Sequence, residues 1–292
     1  MHHPKTFLIA LLCVAFSHAN STQDERRKGP IIRQVDHVLV ESGDPESLFS
    51  LFYDTFKLPE AWPLTENQGF ISGGVGTANA SIRFFRYATQ TKRVNRSTAE
   101  AHYAGLALQP YPLTEALREL RICGIPYDDP EPYISTLPNG SRGTLWTTVS
   151  LPSFSRPGMT VFLYEYGKAF LRVEARRQQL GNRLALNNGG PLGVLSIRQI
   201  IISAKNLETD TAAWDELLEK KVLTERHGYE IGPVIRLTAG SIDQISEIVF
   251  KIKSLDRAKA FLKEHKLLGT SSSKEISIKP SKVQGLKIRL ME

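Results

Sequence analysis

Cysteine is nearly absent from this chain: its 292 residues hold two, Cys13 and Cys123, so one internal bridge is the most it can form. A disulfide-stapled fold is excluded, and the hydrophobic core must supply the stability by itself. Long apolar runs are missing as well. Phe7 to Phe16 is too short for an ordinary membrane span, and no later stretch approaches about eighteen consecutive apolar residues, so stable membrane insertion is not expected. Blocks of one charge are also lacking. The net charge is +7, but the basic residues are scattered, with short clusters at Arg26-Arg27-Lys28 and Arg176-Arg177 and no interleaved aromatic stripe, which predicts no nucleic-acid partner. Nor is there a complete phosphate loop: Gly73-Gly74-Val75-Gly76 lacks the Gly-Lys-Ser/Thr ending and no helix pattern follows it. That run reads as a hairpin turn.

What is present is the composition of a soluble globular protein, 41% apolar and 23% charged, with length enough for two domains. Residues 1–19 stand apart. Lys5, the apolar run after it and the small residues of Ser17-His18-Ala19 read as a signal peptide, which predicts a secreted or periplasmic protein. Leu12 before Cys13 is a poor fit for a lipid-attachment box. Cleavage after Ala19 would remove Cys13 and Lys5, leaving Cys123 as the lone thiol and lowering the charge from +7 to +6. Cys123 ends an apolar helical register and reads as a structural thiol. Residues 20–30 are polar, charged and aperiodic, a flexible lead-in. Asn20, Asn79, Asn95 and Asn139 each begin an Asn-X-Ser/Thr triplet, which matters where the host glycosylates exported chains.

The folded region repeats itself. Ile32 to Val40 has strand character, Asp44-Pro45 opens a helix, and Ala80 to Tyr87 is again strand-like. The same order returns at Tyr103 to Gln109, Leu113 to Cys123, Leu145 to Leu151 and Thr160 to Tyr166. It returns again from Leu195, through the helical Asp210 to Lys221, to Thr238, and a fourth time from Ile245 to Leu290. Closing strands match at residue level in Ile82-Arg83-Phe84, Ile235-Arg236-Leu237 and Ile288-Arg289-Leu290, while Leu163-Tyr164-Glu165-Tyr166 breaks the pattern. Each unit has one apolar sheet face it cannot bury alone, so units should pair into curved mixed sheets with helices outside, an α+β fold. Four units predict two domains: 31–168, from modules of about 31–90 and 100–168, and a smaller one at 192–292. Residues 169–191 join them, a charged helical connector ending in Asn187-Asn188-Gly189-Gly190-Pro191.

On these repeats, and on the stretches 35–40, 58–63, 70–75, 161–166 and 189–194, the sequence resembles the vicinal oxygen chelate (VOC) superfamily of glyoxalase-like, bleomycin-resistance and extradiol-dioxygenase-like proteins. The resemblance covers nearly all of the chain after the leader. It implies paired βαβββ modules that form a cup, with a divalent metal (zinc, iron, manganese or nickel) held by the first and last strands of each module. It implies His37 as the first-strand ligand and Glu165 as the last-strand ligand and catalytic carboxylate. Arg83 stands at a position where many relatives carry glutamate, and Ala104 or Gly105 stands at a fourth position that cannot bind metal.

Two readings of the site follow. A catalytic ion needs about three protein ligands, and His102, two residues before Ala104 on the same strand face, is the third candidate. With His37 and Glu165 it would complete a facial triad for a metal-dependent lyase, isomerase or dioxygenase acting on a small oxygenated molecule. The alternative is a metal-free cup in which Arg83 receives an anionic or aromatic small molecule, with Trp62 at the mouth. Trp62 and Trp214 each also read as packing residues. Residues 192–292 have no histidine-carboxylate set at the four positions and offer a surface for a homodimer.

Overall fold

A computed structural model of the chain describes residues 29–67, 70–87, 100–137, 139–218 and 232–292. The expected leader, most of the lead-in, and Asn20 and Asn95 lie outside the described residues.

Two mixed sheets carry the fold. The first draws on β1 (Ile32–Ser42), α1 (Pro45–Ser50), β2 (Glu60–Asn67), β3 (Phe70–Gly76) and β4 (Ser81–Tyr87). It continues with β5 (Ala101–Pro110), α2 (Leu113–Ile122), β6 (Glu131–Thr136), β7 (Arg142–Ser150) and β8 (Thr160–Tyr166). Its eight strands lie in the order β2-β3-β4-β1-β5-β8-β7-β6. The first strands of the two modules sit at the centre, antiparallel to each other, and each is flanked by the last strand of its own module in parallel: β1 by β4, β5 by β8.

After the connecting helix α3 (Val173–Leu186) come β9 (Val194–Ala204), α4 (Leu207–Leu218), β10 (Val234–Ala239) and β11 (Gln244–Ile252). The chain closes with α5 (Leu255–Glu264), β12 (Leu268–Ser271), β13 (Glu275–Ile278) and β14 (Ile288–Met291). These six strands lie in the order β10-β9-β11-β14-β13-β12, with the same central antiparallel pair and parallel flanks. The architecture is the expected α+β fold of curved mixed sheets with helices outside.

Local chemistry sets the element ends. The Asp44 carboxylate accepts the Ser47 N–H at 3.1 Å and Pro45 occupies the first turn of α1, while Leu48 and Phe49 bury its inner face and Phe52 and Phe56, in the turns that follow, are buried as well. Between the sheets, Asn188, Gly189 and Gly190 take left-handed backbone angles (φ 52, 71 and 65°), and a Cβ on Gly190 would strike the Phe56 carbonyl. Phe154 meets Trp214 at 5.1 Å across the junction, which makes Trp214 a packing residue, and the buried residues of both sheets form one hydrophobic cluster. Asn79 donates to Ile197 O at 2.8 Å and accepts from Ile197 N at 3.0 Å, so this asparagine ties the sheets together, whereas Asn139 is exposed.

The sequence reading needs correction at the glycine run. Residues 73–76 lie inside β3, paired to β4, and are not a hairpin turn. A Cβ at Gly74 would collide with the Trp62 indole on β2, so the glycines let a ring lie flat on the strand. Strands β2 and β6 were not anticipated because each carries a proline and sits at a sheet edge, where proline costs no ladder bond.

Candidate functional site

The inner face of the first sheet and α3 enclose a cavity of about 1310 Å³. Rings from five strands form one continuous row along its wall. Tyr133 stacks on Trp146 at 4.4 Å and 8°, and Trp146 on Tyr164 at 5.9 Å and 22°. Tyr164 and Trp62 then meet the His37 imidazole edge to face at 5.2 and 5.6 Å. The row runs from the exposed Tyr133 to a histidine that is 1% exposed.

His37 and Asp36 act as a unit. The imidazole Nδ1 lies 2.6 Å from Asp36 Oδ1, and the carboxylate also accepts from Tyr166 Oη at 3.3 Å and from Arg177 Nη2 at 3.5 Å. Burial acts to raise the Asp36 carboxyl, but the His37 hydrogen bond and the His37 and Arg177 charges outweigh it and hold its pKa below the usual carboxylate value. Burial lowers the pKa of His37, and the Arg83 and Arg177 charges push the same way against the opposing pull of Asp36. The ring is therefore neutral at pH 7. An ionised Asp36 can only accept, so Nδ1 carries the proton and Nε2 is left as a lone-pair acceptor; that atom is buried and has no hydrogen-bond partner.

Arg83 supplies the positive charge. Its Nε donates to Ser72 Oγ at 2.9 Å and its guanidinium lies 5.3 Å from the Phe70 ring centroid. Among the described residues no carboxylate pairs with it. Two other arginines of the wall serve as fasteners: Arg177 donates to Asn79 O at 2.5 Å and Val35 O at 2.8 Å, and Arg176 donates to the Ala61 carbonyl, while a third, Arg172, lines the cavity from an exposed position just before α3. Arg176 and Arg177 lock α3 over the cup, and Asp36 is the single carboxylate in the wall among the described residues.

His37, Arg83 and Trp62 thus meet in one cavity, whereas Glu165 and His102 do not join them. Side chains alternate along β8, so Tyr164 and Tyr166 face the cavity and Glu165 faces away. There its Oε1 accepts the Leu113 N–H at 2.8 Å, capping α2, whose own N-cap residue, Pro112, offers no side-chain acceptor. His102 has a side chain 54% exposed and faces Glu41 at 3.6 Å. It lies five residues, about 16 Å of strand, from Ala107, the β5 partner of His37. Ala104 and Gly105 supply no donor, and a Cβ on Gly105 would strike Thr160 O.

A divalent ion does not fit these residues. His37 Nε2 is one available donor, but Asp36 is committed to three partners, and the Arg83 and Arg177 charges bear on the same imidazole. No group of three or more histidine, cysteine, aspartate or glutamate side chains able to hold a metal occurs among the described residues.

Sequence reasoning missed Asp36, Tyr164, Tyr166, Trp146 and, on α3, Arg176 and Arg177. Signals existed for most of them. In Val161-Phe162-Leu163-Tyr164-Glu165-Tyr166 the aromatics alternate with aliphatic residues and the glutamate, which marks the aromatic face as a distinct one. Asp36 adjoins His37, and Arg176-Arg177 was already a visible cluster.

No family model matches the sequence, and no curated protein sequence matches it. Solved structures do. A variant of homoprotocatechuate 2,3-dioxygenase from B. fuscum superposes with a TM-score of 0.56 at 9% identity, covering 90% of this chain and 72% of that one. The homoprotocatechuate 2,3-dioxygenase of Arthrobacter globiformis gives 0.55 at 10%, covering 90% and 80%. A hypothetical protein from Staphylococcus aureus gives 0.57 at 12%, covering 88% and 98%. At such identities the likeness is one of fold: the chain has a two-domain VOC-type fold.

Proposed function

We propose that the first sheet is a metal-independent cup that binds a small anionic aromatic molecule, with Arg83 as its anion receptor. The observation that carries this is an arginine without a carboxylate partner among the described residues, facing a cavity walled by aromatic rings. In such surroundings a guanidinium gives a charge-assisted, bidentate contact to a carboxylate, while the rings take up a planar body. At about 1310 Å³ the cavity is roomier than a single-ring acid requires. Thermal-shift and calorimetric titration with aromatic carboxylates tests the reading. Stabilisation by these acids that disappears in Arg83→Ala is expected, and stabilisation that persists in the variant would overturn it.

A second reading, a metal-dependent lyase, isomerase or dioxygenase, draws on the fold likeness and on the free Nε2 of His37. It requires His102 and Glu165 to leave their present partners. Metal analysis of protein purified without chelators and then loaded with iron, zinc, manganese or nickel decides between the two. One ion per chain, lost in His37→Ala, favours the enzyme.

Export belongs to the same proposal, supported by the leader pattern of residues 1–19. Recovery outside the cytoplasm of a chain beginning at Asn20 is the expected result. Self-association through residues 192–292 is a separate proposal, tested by the oligomeric state of the chain with and without them.

A further inference from the structure

We propose that the Asp36–His37 pair is a fixed hydrogen-bond acceptor for the bound molecule, so that the cavity selects aromatic anions whose ring system carries an N–H or O–H donor. The inference rests on the reading of the cup as a site for aromatic anions and adds a second polar contact to it.

A buried acceptor left without a partner costs free energy, and such atoms are rare outside sites that use them. His37 Nε2 is one, on a ring that lines the cavity and is 99% removed from solvent by the relative exposure of 1%. Its orientation is held from behind. Asp36 engages Nδ1 at 2.6 Å, and Tyr166 and Arg177 hold Asp36 in turn, so the ring has little freedom to turn its proton inward. Trp62 and Tyr164 flank the imidazole edge to face and restrict what approaches it to a flat group. Nε2 is covered, so admitting that group takes a shift of the rings packed against the imidazole, Trp62, Phe162 and Tyr164.

The spacing of the two polar contacts defines the ligand. His37 pairs with Ser81 across β1 and β4, and Arg83 lies two residues farther along β4 on the same face. That backbone offset is about 7 Å along the strand, so the two contacts are separated along the cavity, which suits a bicyclic or extended aromatic acid with its donor at one end and its anion at the other. Asp36 and the hydroxyls of Tyr164 and Tyr166 also face this region; burial pushes both tyrosine hydroxyls above their ordinary pKa, so at neutral pH they remain protonated.

Two isosteric probes separate this inference from the reading beneath it. Indole-3-acetate carries a ring N–H, and benzofuran-3-acetate replaces it with an oxygen of similar size. In calorimetry on the full chain, indole-3-acetate should bind about tenfold more tightly. The ratio should approach one in His37→Phe, while Arg83→Ala weakens both acids together. Equal affinities in the unmodified chain, with both still dependent on Arg83, overturn the acceptor and leave the anion cup standing. Failure of both acids to bind overturns both.

Should His37→Phe not fold, the ¹⁵N resonance of His37 Nε2 in the unmodified chain provides the test. It should move with indole-3-acetate and stay with benzofuran-3-acetate, and equal movement overturns the proposal. A shift produced by zinc or iron(II) alone assigns Nε2 to a metal and overturns it as well.

Discussion

The two sheets place an arginine at the same repeat position and use it in opposite ways. On β4, Arg83 meets a serine and a phenylalanine ring and faces a cavity. On β14, Arg289 donates to Glu247 at 2.7 Å and to Glu275 at 2.6 Å, and these hydrogen bonds raise its pKa further. On β10, Arg236 is exposed. A shared strand motif therefore says where an arginine sits and nothing about its partner. What separates them is the neighbouring strands: β11 and β13 present carboxylates to Arg289, whereas β3 presents Ser72 to Arg83. The second sheet satisfies Arg289 with carboxylates, and the first leaves Arg83 facing a cavity with no carboxylate partner among the described residues.

Substitution of the two arginines gives the largest expected contrast. Arg83→Ala should cost about 2–5 kcal/mol of binding to an aromatic carboxylate, the range for losing one member of a desolvated charge pair, while leaving the melting temperature nearly unchanged. Arg289→Ala should do the reverse. Its partners are partly exposed, with side chains 17% and 38% accessible, so solvent screening limits the loss to about 1 kcal/mol of stability. Calorimetric titration and denaturant unfolding of the two variants measure both effects, and an Arg289→Ala chain that loses binding would erase the distinction between the sheets.

Next in size is the cap. Glu165→Ala removes the acceptor for the Leu113 N–H and should destabilise the chain by about 1 kcal/mol, as loss of an N-cap does. Binding in the cup should be unaffected because the side chain is on the other face of β8. Glu165→Gln retains a carbonyl oxygen and should recover most of the stability. A collapse of binding in Glu165→Ala with normal unfolding would return this residue to the site.

Glu165 also shows how far the sequence could be read. The strand-helix-strand character of the repeats and the α+β class were legible because apolar periodicity and turn residues are local signals. His37 and Trp62 stand on stretches that carry the resemblance, and Arg83 stands on the strand pattern repeated at Ile235 and Ile288. The parity of β8 was not resolved, because a one-residue shift exchanges the two faces of a strand and both faces of Val161–Tyr166 carry apolar side chains. The role of α3 was also hidden: Arg176 and Arg177 bind backbone carbonyls on β1, on β2 and just before β4, and backbone acceptors leave no mark in sequence.

The smallest contrasts concern the two histidines. His37 has a lowered pKa in the folded chain, so below the ordinary histidine value of about 6.5 the unfolded chain takes up a proton that the folded chain resists. Its contribution to stability is complete at neutral pH and is lost as the pH falls through that window, while Asp36, also lowered, adds a further loss only below about pH 4. The melting temperature should fall between pH 7 and 5, and His37→Phe should flatten that part of the curve. His102 behaves as a surface residue. Its ion pair with Glu41, at 3.6 Å with the imidazole more than half exposed, is screened by water, so His102→Ala should change stability by no more than about 0.5 kcal/mol and leave binding intact. A metal-dependent site built on both histidines requires His37→Ala and His102→Ala to fail alike in the same assay, whereas the arrangement of β1 and β5 requires them to differ.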